Sequence, residues 1–340
     1  MAHPPLQPGW IDRPHQRLEL GDFGLESGET IRDFALSYVV HGTMNAARSN
    51  VILGVTAIGS THHRLDFLIG PGRALDTDRY CVIVADAIGN GLTTSPSTSR
   101  LQPGEAFPRF AIRDMVESQR CLLDHLQVET LHAAVGASMG GMQILQWAVS
   151  HPRRLARAVA LVPMARTTPW SAAVNEASRR ALMADPEWAT GPARKGWHAW
   201  TAVMQALAGR TPAGMELDCA SPSEAIAWID QRWQAHGKMG AIDWIWQTHA
   251  YDTHDVGTTP GFSGDLAAAL GAVEARTLIV AAPDDLYNPT AAARQAASLI
   301  PNARYAEIPS LLGHQAASGS RPEDAAFLNR EIAAFLTEDA

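Results

Sequence analysis

One serine in this chain stands where a hydroxyl can do covalent chemistry. Gly136-Ala137-Ser138-Met139-Gly140 reads G-x-S-x-G, a pattern in which a sharp strand-to-helix turn presents the serine Oγ. Glycines two residues to either side leave room for the turn. A hydroxyl there sits above a helix N-terminus, whose dipole favours developing negative charge. Serine is a weak nucleophile at neutral pH, so it needs a histidine base, and the base needs a carboxylate to orient it. With this motif the chain order is serine, acid, histidine.

The acid belongs after a late strand, where "LIVAAPDDLYNP" offers Asp284 and Asp285. Asp284 comes first after the strand and is preferred; Asp285 is read as a loop or helix-entry residue. The base belongs before the last helix, where "IPSLLGHQAA" offers His314, the last of 13 histidines. Two amides would complete an oxyanion hole: Met139, next after the serine, and Ile58, on the loop of "VILGVTAIGSTHH". Ala57 on that loop and Gln315 beside the histidine are expected to line the substrate pocket. His62 and His63 share the loop. Adjacent histidines rarely hold one ion through both rings, and no matching acidic cluster is evident. They read as polar loop residues at the pocket mouth, and no metal is expected.

These residues meet only if a sheet positions them. Short, nearly continuous apolar runs at 51–56, 81–86, 131–136 and 158–163 suit strands covered on both faces. "AIRDMVESQRCLLDHLQV" (111–128) keeps its apolar residues largely at helical spacing, and a second helix follows Ser138 until Pro152. Ahead of them, 17–28 reads as a hairpin with glycine turns and 34–42 as an alternating strand. From 165 to 250 tryptophan is frequent, β-branched runs vanish and the pattern turns helical. The alternation then resumes: strand 276–283, helix 288–301 with Pro289 in its first turn, strand 303–309 and helix 322–336. Strand–helix alternation gives an α/β fold with a mostly parallel sheet flanked by helices. The chain divides into a first core part, 1–164, a helical lid insertion, 165–250, and a second core part, 251–340.

The 340 residues are 46% hydrophobic and 18% charged, ample for a large core. A net charge of −8 and the absence of a basic stripe with interleaved aromatics argue against a nucleic-acid partner. Three widely spaced cysteines form neither a disulfide framework nor a zinc motif. The first residues lack a signal-peptide pattern and no run is long enough to span a bilayer, so a cytoplasmic protein without membrane contact is expected.

Longer stretches carry a resemblance. "FLIGPGRALDTDRYCVIVAD", "FAIRDMVESQRCLLDHLQVETLHAAVGASMGGMQILQWAVSHPRRLARAV", "NEASRRALMADPEW", "DDLYNP" and "GHQAA" resemble the homoserine O-acetyltransferase family of α/β-hydrolases. The resemblance implies an α/β-hydrolase fold and a Ser-His-Asp acyl-enzyme, with Ser138 as nucleophile, His314 as base and Asp284 as acid. In that family the serine takes an acetyl or succinyl group from CoA and passes it to the homoserine hydroxyl. It also implies a homodimer made through the helical insertion.

Three departures from the family pattern bear on the acceptor. Gln315 stands where the family has an acidic residue that holds the homoserine amino group. "WHAWTAVMQAL" (197–207) has no basic residue besides His198 where the family carries an arginine, although Arg194, Lys195 and Arg210 lie nearby. Residues 86–99 lack the G-S-T-G-P form. An ammonium without its carboxylate partner loses about 100-fold or more in specificity. The expected activity is therefore a carboxylesterase on short or medium acyl esters, with no cofactor. The alternative is an O-acyltransferase that uses acyl-CoA, with Arg64, Arg73 or Arg109 available at the pocket mouth, and homoserine or another alcohol as acceptor.

Overall fold

Strands β1 (Gln16–Gly24), β2 (Thr30–His41), β3 (Val51–Val55), β4 (Cys81–Ala85), β5 (Ala133–Ala137), β6 (Arg157–Leu161), β7 (Arg276–Ala281) and β8 (Ala303–Glu307) form one sheet of order β1-β2-β4-β3-β5-β6-β7-β8. The computed structural model describes His3, residues 5–236 and residues 239–338. β1 pairs antiparallel with β2, and β2 with β4; all later neighbours are parallel. The pleat sorts alternate side chains to two faces. Leu53, Val55, Ile83, Ala134, Ala158 and Ala160 pack into one core, while Ile52, Val82, Val84, Val135, Val159 and Leu161 pack into the other. Every residue of β3, β4 and β5 is buried, which is why these strands read as unbroken apolar runs.

Helix α1 (Ile112–His125) precedes β5 and α2 (Met139–Ser150) follows it. All of α2 but its last residue is buried, and alanines of β5 and β6 belong to the same core. Between β6 and β7 the chain leaves the sheet for α3 (Pro169–Met183), α4 (Arg194–Leu207), α5 (Pro212–Asp218), α6 (Pro222–His236) and α7 (Ala241–Asp252), then α8 (Leu266–Gly271). Within α4 Trp197 meets Trp200 edge to face at 5.0 Å, and Trp200 joins α4 to α7 by the same geometry on Trp244, at 4.8 Å between ring centroids. Helices α9 (Thr290–Leu299) and α10 (Pro322–Thr337) complete the fold.

Two local expectations are corrected. Residues 17–28 do not fold back on themselves. They form β1, whose partner is β2 across the turn at 25–29, and Gly21 at φ 68° makes a bulge in the register rather than a turn. Pro289 caps α9 instead of lying in its first turn, since extended backbone at Pro289 carries the chain in from the preceding loop.

Candidate active site

The parallel strands end on one edge of the sheet, and the residues with reactive side chains follow those ends. After β5 the chain reverses into α2 at Ser138, whose φ of 57° and ψ of −122° lie outside the regions L-residues favour. The cause is visible in the glycines. A Cβ on Gly136 would sit 2.5 Å from the Gly140 carbonyl group, and one on Gly140 would sit 2.9 Å from the Val55 carbonyl oxygen. The two glycines let strand, turn and helix close on each other.

His314 lies on the loop between β8 and α10. Its Nε2 is 2.8 Å from Ser138 Oγ and its Nδ1 is 2.7 Å from Asp285 Oδ2. All three residues are buried. Asp285, not Asp284, meets the histidine. Asp284 is the first residue after the strand region, as read from sequence, but it takes a left-handed conformation, φ 53°, and its side chain is exposed. That turn aims the next residue inward. Asp285 Oδ1 then accepts from the amides of Tyr287 and Asn288, both at 2.8 Å. Two backbone donors thus hold Oδ1, leaving Oδ2 for the imidazole. With Nδ1–H donated to this carboxylate, Nε2 faces Ser138 as an acceptor. Gly313, φ 55°, lets the loop press on its neighbours, since a Cβ there would lie 2.7 Å from Thr211 and 3.2 Å from the Asp284 carbonyl oxygen.

A cavity of about 310 Å³ opens on this group, lined by Ala57, Ile58, Ser138, Trp200, Met204, Trp244, Tyr287, His314 and Gln315, among others. Ala57, Ile58 and Gln315 thus line the same cavity as Ser138. Met139 opens α2, where first-turn amides have no intrahelical acceptor. The Gln143 amide group ties the loop after β3 to the start of α2: its Nε2 donates to Thr56 O at 3.0 Å and to Met139 O at 3.3 Å. Gln119 and Trp147 extend that buried network. From the insertion, Gln247 Oε1 accepts from the Gly59 amide at 3.0 Å. Neither glutamine is signalled by the sequence; each looks like an ordinary polar residue of an amphipathic helix.

The charges of this cavity are sparse. Among the described residues that line it there is no carboxylate, and Arg64 is the one cation. Burial alone pulls the Arg64 guanidinium down to about 10. Arg64 also lines an adjoining cavity of about 500 Å³. Arg73 instead donates to Asp66 O, and Arg109 stacks on Trp246 at 3.6 Å. Arg194 and Lys195 are exposed at the start of α4, and Arg210 pairs with Asp218 at 3.1 Å. His62 and His63 are not solvated loop residues. They are buried, and the fold brings Asp86 and Asp66 to their Nδ1 atoms.

The model of the alpha/beta hydrolase fold family matches residues 65–311. A homoserine O-acetyltransferase of Nostoc punctiforme is 32% identical over 323 residues, covering 86% of this chain and 89% of that one. One of Methanococcoides burtonii is also 32% identical, covering 87% of this chain and 68% of its own length. The chain belongs to the homoserine O-acetyltransferase family of the α/β-hydrolase fold. Its structure is similar to that of the acetyl esterase MekB, with a TM-score of 0.89 and 27% identity over 96% of this chain and 97% of that one. The chain is thus similar to acetyltransferases in sequence and to an acetyl esterase in structure. Among the described residues, no helix is long and apolar enough to cross a membrane.

Proposed function

We propose that this family member is a serine esterase that cleaves short acyl esters through an acyl-enzyme. The carrying observation is the composition of the cavity at Ser138. Its walls are Trp200, Trp244, Met204 and Tyr287, and its lining has no carboxylate among the described residues. The ammonium of an amino-acid acceptor would be desolvated there without a negative partner, whereas water needs none. Gln315, adjacent to the base, offers an amide where the resemblance leads one to expect an acid.

In this mechanism Ser138 Oγ attacks the ester carbonyl carbon while His314 Nε2 takes the hydroxyl proton. Asp285 stabilises the imidazolium and keeps it oriented. The amides of Met139 and Ile58 receive the oxyanion. His314 returns the proton to the leaving alkoxide, which departs as the alcohol. A water then enters, His314 removes its proton, and the resulting hydroxide attacks the acyl carbon. Collapse of the second oxyanion expels Ser138 Oγ, which regains its proton from His314, and releases the carboxylic acid.

O-acyl transfer from acyl-CoA to an alcohol is the second reading, favoured by the likeness to the acetyltransferases. Arg64 is a cation that could meet an anionic group of such a donor or acceptor. The deciding experiment supplies p-nitrophenyl acetate and acetyl-CoA in parallel, with and without L-homoserine, and identifies products by mass. Acetate as the main product in every case supports the esterase. O-acetylhomoserine as a main product would overturn it.

A further inference from the structure

Beside the catalytic cavity, three segments bring histidines and carboxylates together. His62 and His63 open the helical turn His62–Leu68 after β3. His3 and His15 come from the N-terminal arm, Asp66 from the same turn and Asp86 from the end of β4. The arm is laid on the turn by named contacts. Trp10 stacks on His63 at 4.1 Å between centroids, and Ile11 N donates to Asp66 Oδ2 at 2.8 Å. The ring of His15 lies 4.4 Å from that of His62, and the ring of His3 lies 5.0 Å from that of His63.

The hydrogen bonds fix where the lone pairs of His62 and His63 lie. His63 Nδ1 is 2.6 Å from Asp66 Oδ2, and His62 Nδ1 is 3.2 Å from Asp86 Oδ2. Each carboxylate requires N–H at Nδ1, so each neutral ring carries its lone pair on Nε2. Asp86 is itself held by Ser37, Asn90 and the His62 amide. His62 Nε2 is buried and has no hydrogen-bond partner among the described residues. His63 Nε2 faces His3 Nε2 at 2.9 Å. One ligand nitrogen from each of His3, His62 and His63 lies within 4.8 Å of the others. An imidazole whose Nδ1 is anchored on a carboxylate and whose lone pair lies on Nε2 is the form that metal-binding histidines adopt.

We propose that His3, His62 and His63 bind a divalent transition-metal ion, zinc by preference. Three neutral imidazoles suit a borderline ion, which binds such nitrogens at about 2.0–2.1 Å. Asp66 and Asp86 act one shell out, orienting the rings and offsetting the charge. His15 stands beside His62 for a fourth position, which water could also fill. The ion would fasten the N-terminal arm to the loop that also carries Ile58. The arm residues Pro8 and Trp10 line the adjoining cavity, which shares Gly59, Arg64 and Ser318 with the cavity at Ser138. This role is structural and independent of the ester chemistry proposed above.

The test uses the full chain, free of any affinity tag, treated with chelator and then titrated with zinc chloride in a calorimeter. Cobalt(II) absorption serves as a second reading of the ligand set. One zinc per chain is expected, with a low-symmetry cobalt spectrum and a higher Tm in the loaded protein. His3→Ala, on the arm and away from the core, removes a ligand without threatening the fold. It should weaken binding strongly while far-UV circular dichroism stays unchanged. Asp66→Asn should weaken it by about 10–100-fold. Failure to bind one equivalent of zinc would overturn the proposal. So would one-to-one binding that persists unchanged in both His3→Ala and His63→Ala.

Discussion

The two sides of the cavity are held by different forces. On the sheet side, Ser138, Asp285 and His314 follow the ends of parallel strands, and backbone ladders fix them. Ser138 N donates to Leu161 O at 2.9 Å, and Ile308 N to Ala281 O at 2.9 Å just before the histidine loop. On the helical side, Trp200, Met204 and Trp244 are set by ring-edge packing and by side-chain bonds such as Gln247 to Gly59. A ladder needs little from side-chain identity, so the sheet side can stay the same across a family. A packed wall depends on the volume and charge of each side chain, so acceptor and acyl preference can change there while the chemistry persists.

The sharpest way to break this contrast is Ser138→Ala. Ester turnover should fall by about 10⁶-fold in kcat with an unchanged circular dichroism spectrum; measurable turnover near the original rate would remove the nucleophile from the sheet side. Asp285→Asn should lower kcat by about 10⁴-fold, because the amide reverses the hydrogen bond that sets the imidazole tautomer. Asp284→Asn, one residue away and exposed, should stay within about threefold. Equal losses in the two variants would contradict the pairing described here.

The wall has its own signature. Asp243 on α7 accepts from Ser97 N at 2.9 Å and also from the Ser97 hydroxyl. Burial pushes its carboxyl up to about 6. The folded state thus keeps a proton that the unfolded chain has lost. Its contribution is complete below the unfolded value of about 4 and disappears as pH rises through 6, a span of on the order of 3 kcal/mol. Denaturant titrations at pH 4 and pH 7 should show this slope in the native protein and not in Asp243→Asn. Last, Trp200→Ala should enlarge the cavity and shift the ratio of kcat/KM for hexanoyl over acetyl esters upward by about 10-fold. An unchanged ratio would mean that α4 does not bound the acyl group.

How far the site was legible depended on the range of the interactions. The elbow at Ser138 is written within five residues, because the crowding that demands Gly136 and Gly140 is local. His314 follows from chain order. The choice between Asp284 and Asp285 was not legible. It turns on one left-handed residue, and nothing in "PDD" marks which aspartate takes it. Gln143 and Gln247 gave no signal, since their importance lies in which distant carbonyl or amide they reach. The burial of His62 and His63 was not legible either, nor was the contact of His62 with Asp86, 24 residues further on.

The sequence by itself determined the alternation of strands and helices, the buried parallel sheet and the presence of one serine in a glycine-flanked turn. Those features arise from hydrophobic period and local sterics, which neighbours in the chain settle between themselves. Tertiary structure alone decided which aspartate faces His314, which tryptophans of the insertion wall the cavity, that a single cation lines it among the described residues, and that histidines from the N-terminal arm meet those after β3. Each depends on segments far apart in sequence being packed together, where burial and hydrogen bonding select one arrangement that no short stretch can specify.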